Sequence, residues 1–150
     1  MEIKFYKCNV CGNIVCKVED SGMTMMCCGK QMTELRPEST DGELEKHVPI
    51  YEIIDNHVIV QVGATEHPMK DYHHIEFIGI ETDKGFYVKY LMPALKYPGY
   101  ERSKCDSIDP NLDDEGCMRP RAKFRLNSGE KLLSIFEYCN LHGMFTQDIR

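Results

Sequence analysis

The first 36 residues constrain this chain most: they are too few to fold on a hydrophobic core alone, and they carry Cys8, Cys11, Cys27 and Cys28. Domains below about 40 residues usually need disulfides, a metal or a partner to fold. Cys8-x-x-Cys11 is a knuckle whose turn, helped by Gly12, aims two thiolates at one ion, and Cys27-Cys28 before Gly29 supplies two more. Four thiolates suit zinc or a single iron, both tetrahedral. Zinc dominates four-cysteine sites. Adjacent ligands, however, fit an undistorted tetrahedron awkwardly, because neighbouring side chains tend to diverge, and this favours a redox iron.

The polar stretch "RPESTDG" (Arg36–Gly42) reads as a linker. It divides the chain into a small metal module, 1–36, and a larger domain, 37–150. With 150 residues and 42% apolar side chains, there is room for one ordinary domain plus that module. The start, "MEIKFYKC", lacks the apolar run of a signal peptide, and no stretch approaches the ~20 apolar residues of a membrane span. The expectation is a soluble, cytoplasmic protein with no membrane partner. Eight cysteines in a reducing compartment are more often metal ligands than disulfides. The net charge of −6 argues against a nucleic-acid partner, since phosphate contacts need clustered Lys and Arg, and the basic run "MRPRAKFR" (Met118–Arg125) is too short to reverse this.

After the linker the pattern is β-rich: "IYEII" from Ile50, "HVIVQV" from His57, "HIEFIGIE" from His74, "GFYVKYLM" from Gly85, "AKFRL" from Ala122 and "KLLSIFEY" from Lys131. Turn chemistry at "DN", "TDKG" and "NSGE" separates these runs. Many short strands without a long amphipathic helix predict an all-β sandwich or small barrel.

All six histidines follow the linker, at 47, 57, 67, 73, 74 and 142, and Cys139 lies three residues before the last. Singly, a histidine is more often a satisfied or exposed side chain than a ligand. Together they suggest a site: His47 follows the linker, His67 precedes Pro68 at a turn, and Cys139 and His142 fall in a loop expected after the last strand. Loops at one end of a sandwich could join them. Nitrogen-rich ligation with one thiolate suits iron or copper better than a structural zinc. Spacing alone does not choose between His73 and His74.

These motifs, Cys8-x-x-Cys11 with Cys27-Cys28, then "EKHVP", "HPM" with "HHIE", and "CNLHG", follow one another in the order found in desulfoferrodoxins, and the chain resembles that family over most of its length. The resemblance implies a desulforedoxin-like module with an iron on Cys8, Cys11, Cys27 and Cys28. It also implies an immunoglobulin-like β-sandwich with a mononuclear non-haem iron on His47, His67, His73, Cys139 and His142. The implied activity is superoxide reductase, an oxidoreductase taking superoxide to hydrogen peroxide without forming dioxygen. Lys46 would attract superoxide and organise proton delivery, and Glu45 would cap the oxidised iron. A rubredoxin-like electron donor and a homodimer are implied as partners.

One stretch departs from the family. About 94–122 form an acidic excursion with Cys105 and Cys117, which reads as a surface loop. Cys16 reads as a thiol outside the four-cysteine set, His57 as a strand residue and Met69 as packing. The alternative function, from a different class, is a non-catalytic electron-transfer or metal-binding protein using the four-cysteine centre. An open coordination position on the second iron argues against it, since simple electron transfer does not need one.

Overall fold

A computed structural model describes residues 3–37, 45–70, 72–91 and 119–150. The described residues are almost entirely strand and turn, with one helical turn at 45–47. In the first segment, β1 (Lys4–Lys7) pairs antiparallel with β2 (Ile14–Lys17) and β5 (Thr33–Glu34), while β3 (Met26–Cys27) and β4 (Lys30–Gln31) form a separate hairpin.

The second segment folds as two antiparallel sheets. One has the order β10-β7-β6, from β6 (Pro49–Ile54), β7 (His57–Val62) and β10 (Arg121–Arg125). The other has the order β12-β11-β8-β9, from β8 (Ile75–Thr82), β9 (Phe86–Tyr90), β11 (Leu132–Cys139) and β12 (Gly143–Asp148). The expected all-β, immunoglobulin-like sandwich is therefore the observed architecture. Asp55 and Asn56, both at positive φ (49° and 63°), form the two-residue turn joining β6 to β7.

Strand alternation builds the core. In β7, Val58, Val60 and Val62 are fully buried while His57, Ile59 and Gln61 lie on the other face. The valines pack with Ile78 and Ile80 of β8, Ile135 of β11 and Phe124 of β10. β8 and β11 are buried on both faces, because the N-terminal segment covers the outer face of their sheet. Phe5 of β1 packs there against Phe77 and Phe136, with ring centroids 5.9 and 5.2 Å apart, and Tyr138 stacks on Phe77. Lys7 donates to the Tyr138 hydroxyl at 2.9 Å. Gly79 makes room for this layer, since a Cβ there would collide with the Phe136 ring.

Two expectations need correction. A further strand, β12, follows "CNLH", so β11 is not the last. Its apolar signal is only Met144 and Phe145 between polar neighbours, too short to read as a strand until it is paired with β11. Cys139 is accordingly the last residue of β11 rather than a loop residue. The excursion with Cys105 and Cys117 lies outside the described residues as far as 118, and β10 opens at Arg121, one residue before the expected Ala122. Residues 38–44, which include most of the linker, also lie outside them. None of the described helical residues forms a segment long and apolar enough to cross a membrane.

Candidate metal centres

The four cysteines of the first segment converge, their sulfurs all within 4.8 Å of one another. Cys8 follows β1 directly, and its carbonyl accepts from Gly12 N–H at 2.9 Å, closing the knuckle. That turn aims the Val10 and Cys11 N–H groups at the Cys8 sulfur, at 3.4 and 3.5 Å. The Cys11 N–H, then that of Val10, pull the Cys8 thiol down to about 6. The opposite holds for Cys28, which its bonds to Cys11, then Cys27 and Cys8, push up to about 12. Four thiols in contact cannot all ionise unless a cation takes up the charge, which is the behaviour of a thiolate metal site.

The difficulty with adjacent ligands has a backbone answer. Cys28 and Gly29 sit at φ 53° and 72° in the two-residue turn between β3 and β4. The left-handed conformation at Cys28 swings its side chain back toward the partner sulfur of Cys27, 3.9 Å away, and Cys27 lies 3.6 Å from Cys11. Cys16 stands outside the group.

The second group forms at one end of the sandwich. His47 closes the helical turn ahead of β6, His67 and His73 lie in the connection from β7 to β8, Cys139 ends β11, and His142 sits in the turn to β12. One ligand atom from each falls within 4.8 Å of all the others. The turn carrying His47 is seated on the exit from β7: Ala64 N–H donates to Glu45 O at 2.9 Å and Gly63 N–H to Val48 O at 3.1 Å. A Cβ at Gly63 would strike the Lys46 carbonyl, and φ there is +83°, so glycine permits the approach.

Cys139 and His47 are 0% and 1% exposed, and His67 2%. His47 Nε2 lies 3.0 Å from His67 Nε2 and 3.1 Å from His142 Nδ1, and Cys139 Sγ lies 3.6 Å from His142 Nδ1. Two nitrogens each about 2.1 Å from one ion and at right angles to it are about 3.0 Å apart, so these spacings fit imidazoles sharing a metal. His67 Nδ1 is 2.7 Å from the Pro68 carbonyl, which fixes the proton on Nδ1 and turns the Nε2 lone pair inward. Burial, above all, lowers the His67 imidazole to about 4 and keeps it neutral. Phe145 stacks on His47 at 4.5 Å and 23°. His74 points away, its Nδ1 2.9 Å from Lys70 O, and joins neither group, as does His57, whose Nδ1 faces Asp55 O.

Family comparison agrees with this pairing of centres. The family model for desulfoferrodoxin matches residues 39–148, and that for the desulfoferrodoxin N-terminal domain matches residues 1–35. The chain belongs to the desulfoferrodoxin family. It is 33% identical to the desulfoferrodoxin of Syntrophotalea carbinolica over 98% of this chain and 97% of that one. It is 34% identical to that of Nitratidesulfovibrio vulgaris, covering 95% and 93%. The superoxide reductase from Treponema pallidum has a similar fold, with TM-score 0.69, 24% identity and 98% coverage of both chains. The two clusters match the two iron centres of desulfoferrodoxins.

Three further residues of this desulfoferrodoxin stand near the second centre. Glu45 and Lys46 are exposed in the same helical turn as His47, and Glu45 accepts from the Thr65 hydroxyl at 3.5 Å. Glu137 was not singled out from sequence, although an acid inside the apolar run "SIFEYC" is a visible signal. It is fully buried one alternation before Cys139, with no hydrogen-bond partner for either carboxylate oxygen among the described residues. Burial pushes its carboxyl well above the ordinary value and so favours the neutral acid in the core.

Proposed function

We propose that this protein is a superoxide reductase: one superoxide, one electron and two protons give one hydrogen peroxide, with no dioxygen formed. The observation that carries this reading is the convergence of His47, His67, His73, Cys139 and His142 at the end of the sandwich. The similar fold of a protein described as a superoxide reductase supports it. In this reading those five residues hold a mononuclear non-haem iron, and Cys8, Cys11, Cys27 and Cys28 hold a second. Iron bound by the first five would supply the electron and an open position for the anion.

The residues of the chain then have distinct tasks. Neutral imidazoles leave the charge of the site to the iron and to the single thiolate, and His67 is kept neutral by burial. The fully buried Cys139 needs a cation beside it to be stable as a thiolate, which ties its ionisation to metal binding. Exposed Lys46, next to His47, attracts the anion and organises the protons. At physiological salt, charges beyond about 8 Å are screened, so this local lysine outweighs the net charge of −6 in the encounter. Glu45, in the same turn, would be placed to cap an oxidised iron held there. Residues 1–36 form the electron-storing module and 37–150 the reductase domain. The reductant is a rubredoxin-like carrier, and the protein works as a cytoplasmic homodimer.

Metal analysis with anaerobic spectroscopy and superoxide decay tests the reading. Two irons per chain and stoichiometric peroxide without dioxygen are expected; zinc in both centres, or dioxygen as a product, contradicts it.

A further inference from the structure

Three of the five residues in the second centre lie on two neighbouring segments, 72–74 and 139–143, and one residue, Asn140, ties the two together. Along the β8–β11 ladder the register runs Tyr138 with Phe77 and then Cys139 with Ile75, a bulge that skips Glu76. Beyond it regular strand pairing ends, and the backbone around His73 needs other partners. Asn140 supplies them. Its Oδ1 accepts from His74 N–H at 2.8 Å, its Nδ2 donates to Tyr72 O at 3.0 Å, and its own N–H donates to His74 O at 3.1 Å.

The residue between the two that Asn140 grips is His73. Lys70 and His73 are also bonded to each other, since Lys70 N–H donates to His73 O at 2.8 Å and His73 N–H to Lys70 O at 3.0 Å. Those bonds tie His73 to Lys70, but they do not fix it relative to Cys139 and His142. The Asn140 side chain does, because it belongs to the opposite turn. A carboxamide offers an acceptor and a donor on two separate atoms; an ionised aspartate would accept from His74 but face the Tyr72 carbonyl with a second acceptor.

We infer that Asn140 is a positioning residue that holds His73 in register with Cys139 and His142 and so sets how long the centre keeps its iron. Partners of this kind around a metal site are typically worth about 10–100-fold in metal affinity. The inference rests on the reading that these five residues hold iron.

The test uses the full-length, iron-loaded protein under anaerobic conditions, with a ferrous chelator and both centres followed by absorption. Asn140→Ala is expected to release iron from the histidine-rich centre about 10–100-fold faster than wild type. Asn140→Asp, which keeps one of the two side-chain bonds, falls between. In both, the thiolate-to-iron charge-transfer band shifts, a change that general loss of stability would not produce. Release from the four-cysteine centre stays at the wild-type rate, and Leu141→Ala, an exposed neighbour in the same turn, changes neither centre. Wild-type release rates in both Asn140 variants, or equal acceleration at the four-cysteine centre, overturn the inference. If Asn140→Ala does not fold, the isosteric Asn140→Asp decides by the same criteria. A wild-type chain that takes up no second iron fails the underlying reading instead, so the two failures are distinguishable.

Discussion

The two centres of this desulfoferrodoxin are built in opposite ways. The four-cysteine centre draws its residues from a span of 21 positions, Cys8 to Cys28, in a segment whose strands are two to four residues long. Cys11 and Cys28 are exposed. The histidine-rich centre draws from His47 to His142, and strands of six to eight residues bring its members together at one end of the sandwich, with His47, His67 and Cys139 buried and His73 and His142 half-buried. A local, exposed site can fold its own module around a metal and exchange electrons at the surface. A long-range, buried site depends on a fold that exists before the metal arrives, and it can be selective about what reaches it. The contrast fits the proposed division, with electron storage at the first centre and chemistry at the second.

The largest expected effect comes from removing the thiolate of the second centre. Cys139→Ser should abolish its charge-transfer absorption and lower superoxide consumption by orders of magnitude, because serine is a poor soft donor. Full activity in an iron-loaded variant, measured by decay of pulse-generated superoxide, would show that the two centres do not divide in this way.

Phe136→Ala should come next, since its ring is fully buried beneath Phe5 at the junction of the two regions. A loss of about 3–5 kcal/mol is expected in denaturant melts. The four-cysteine absorption should disappear with the same transition as the sandwich if the junction couples them, and in a separate one if it does not.

Lys46→Ala should slow the bimolecular reaction by about 10-fold and flatten its dependence on ionic strength, since steering contributes about 10–10³ to on-rates. Unchanged rates at low salt would reduce Lys46 to a solvated charge.

The smallest effect concerns Glu137. Its carboxyl stays protonated in the fold above the pH, about 4.3, at which an unfolded glutamate ionises. The unfolded chain therefore holds fewer protons above that pH, and stability falls as pH rises through this window. Glu137→Gln removes that slope, so its advantage over wild type should grow from pH 4 toward 7. A constant difference across that range would mean that Glu137 is ionised in the fold.

Much of this was legible in the sequence because it is local. The knuckle at Cys8 and Cys11, the alternation of Val58, Val60 and Val62, and the turn at Asp55-Asn56 each declare themselves within a few residues. The adjacency of Cys27 and Cys28 was legible as a problem, while its solution, the left-handed backbone at Cys28, belongs to a hairpin of two-residue strands with almost no periodic signal. β12 stayed hidden because its strand character comes from pairing with β11. His73 and His74 are equivalent by spacing and differ only in where their rings point once Asn140, 66 positions from His74, holds the turn. Glu137 breaks the rule that a buried strand face is apolar, and pattern reading passes over such exceptions.

The most direct test of the division of labour is Cys8→Ser with Cys11→Ser in one chain, iron-loaded and reacted with superoxide in a single turnover. The variant should lose the four-cysteine absorption and the stability of its N-terminal module, whose folding energy is largely metal binding. Its histidine-rich iron should still consume superoxide at nearly the wild-type rate. A variant that keeps this second iron but loses the single-turnover reaction would contradict the account, by placing the four-cysteine centre within the chemistry itself.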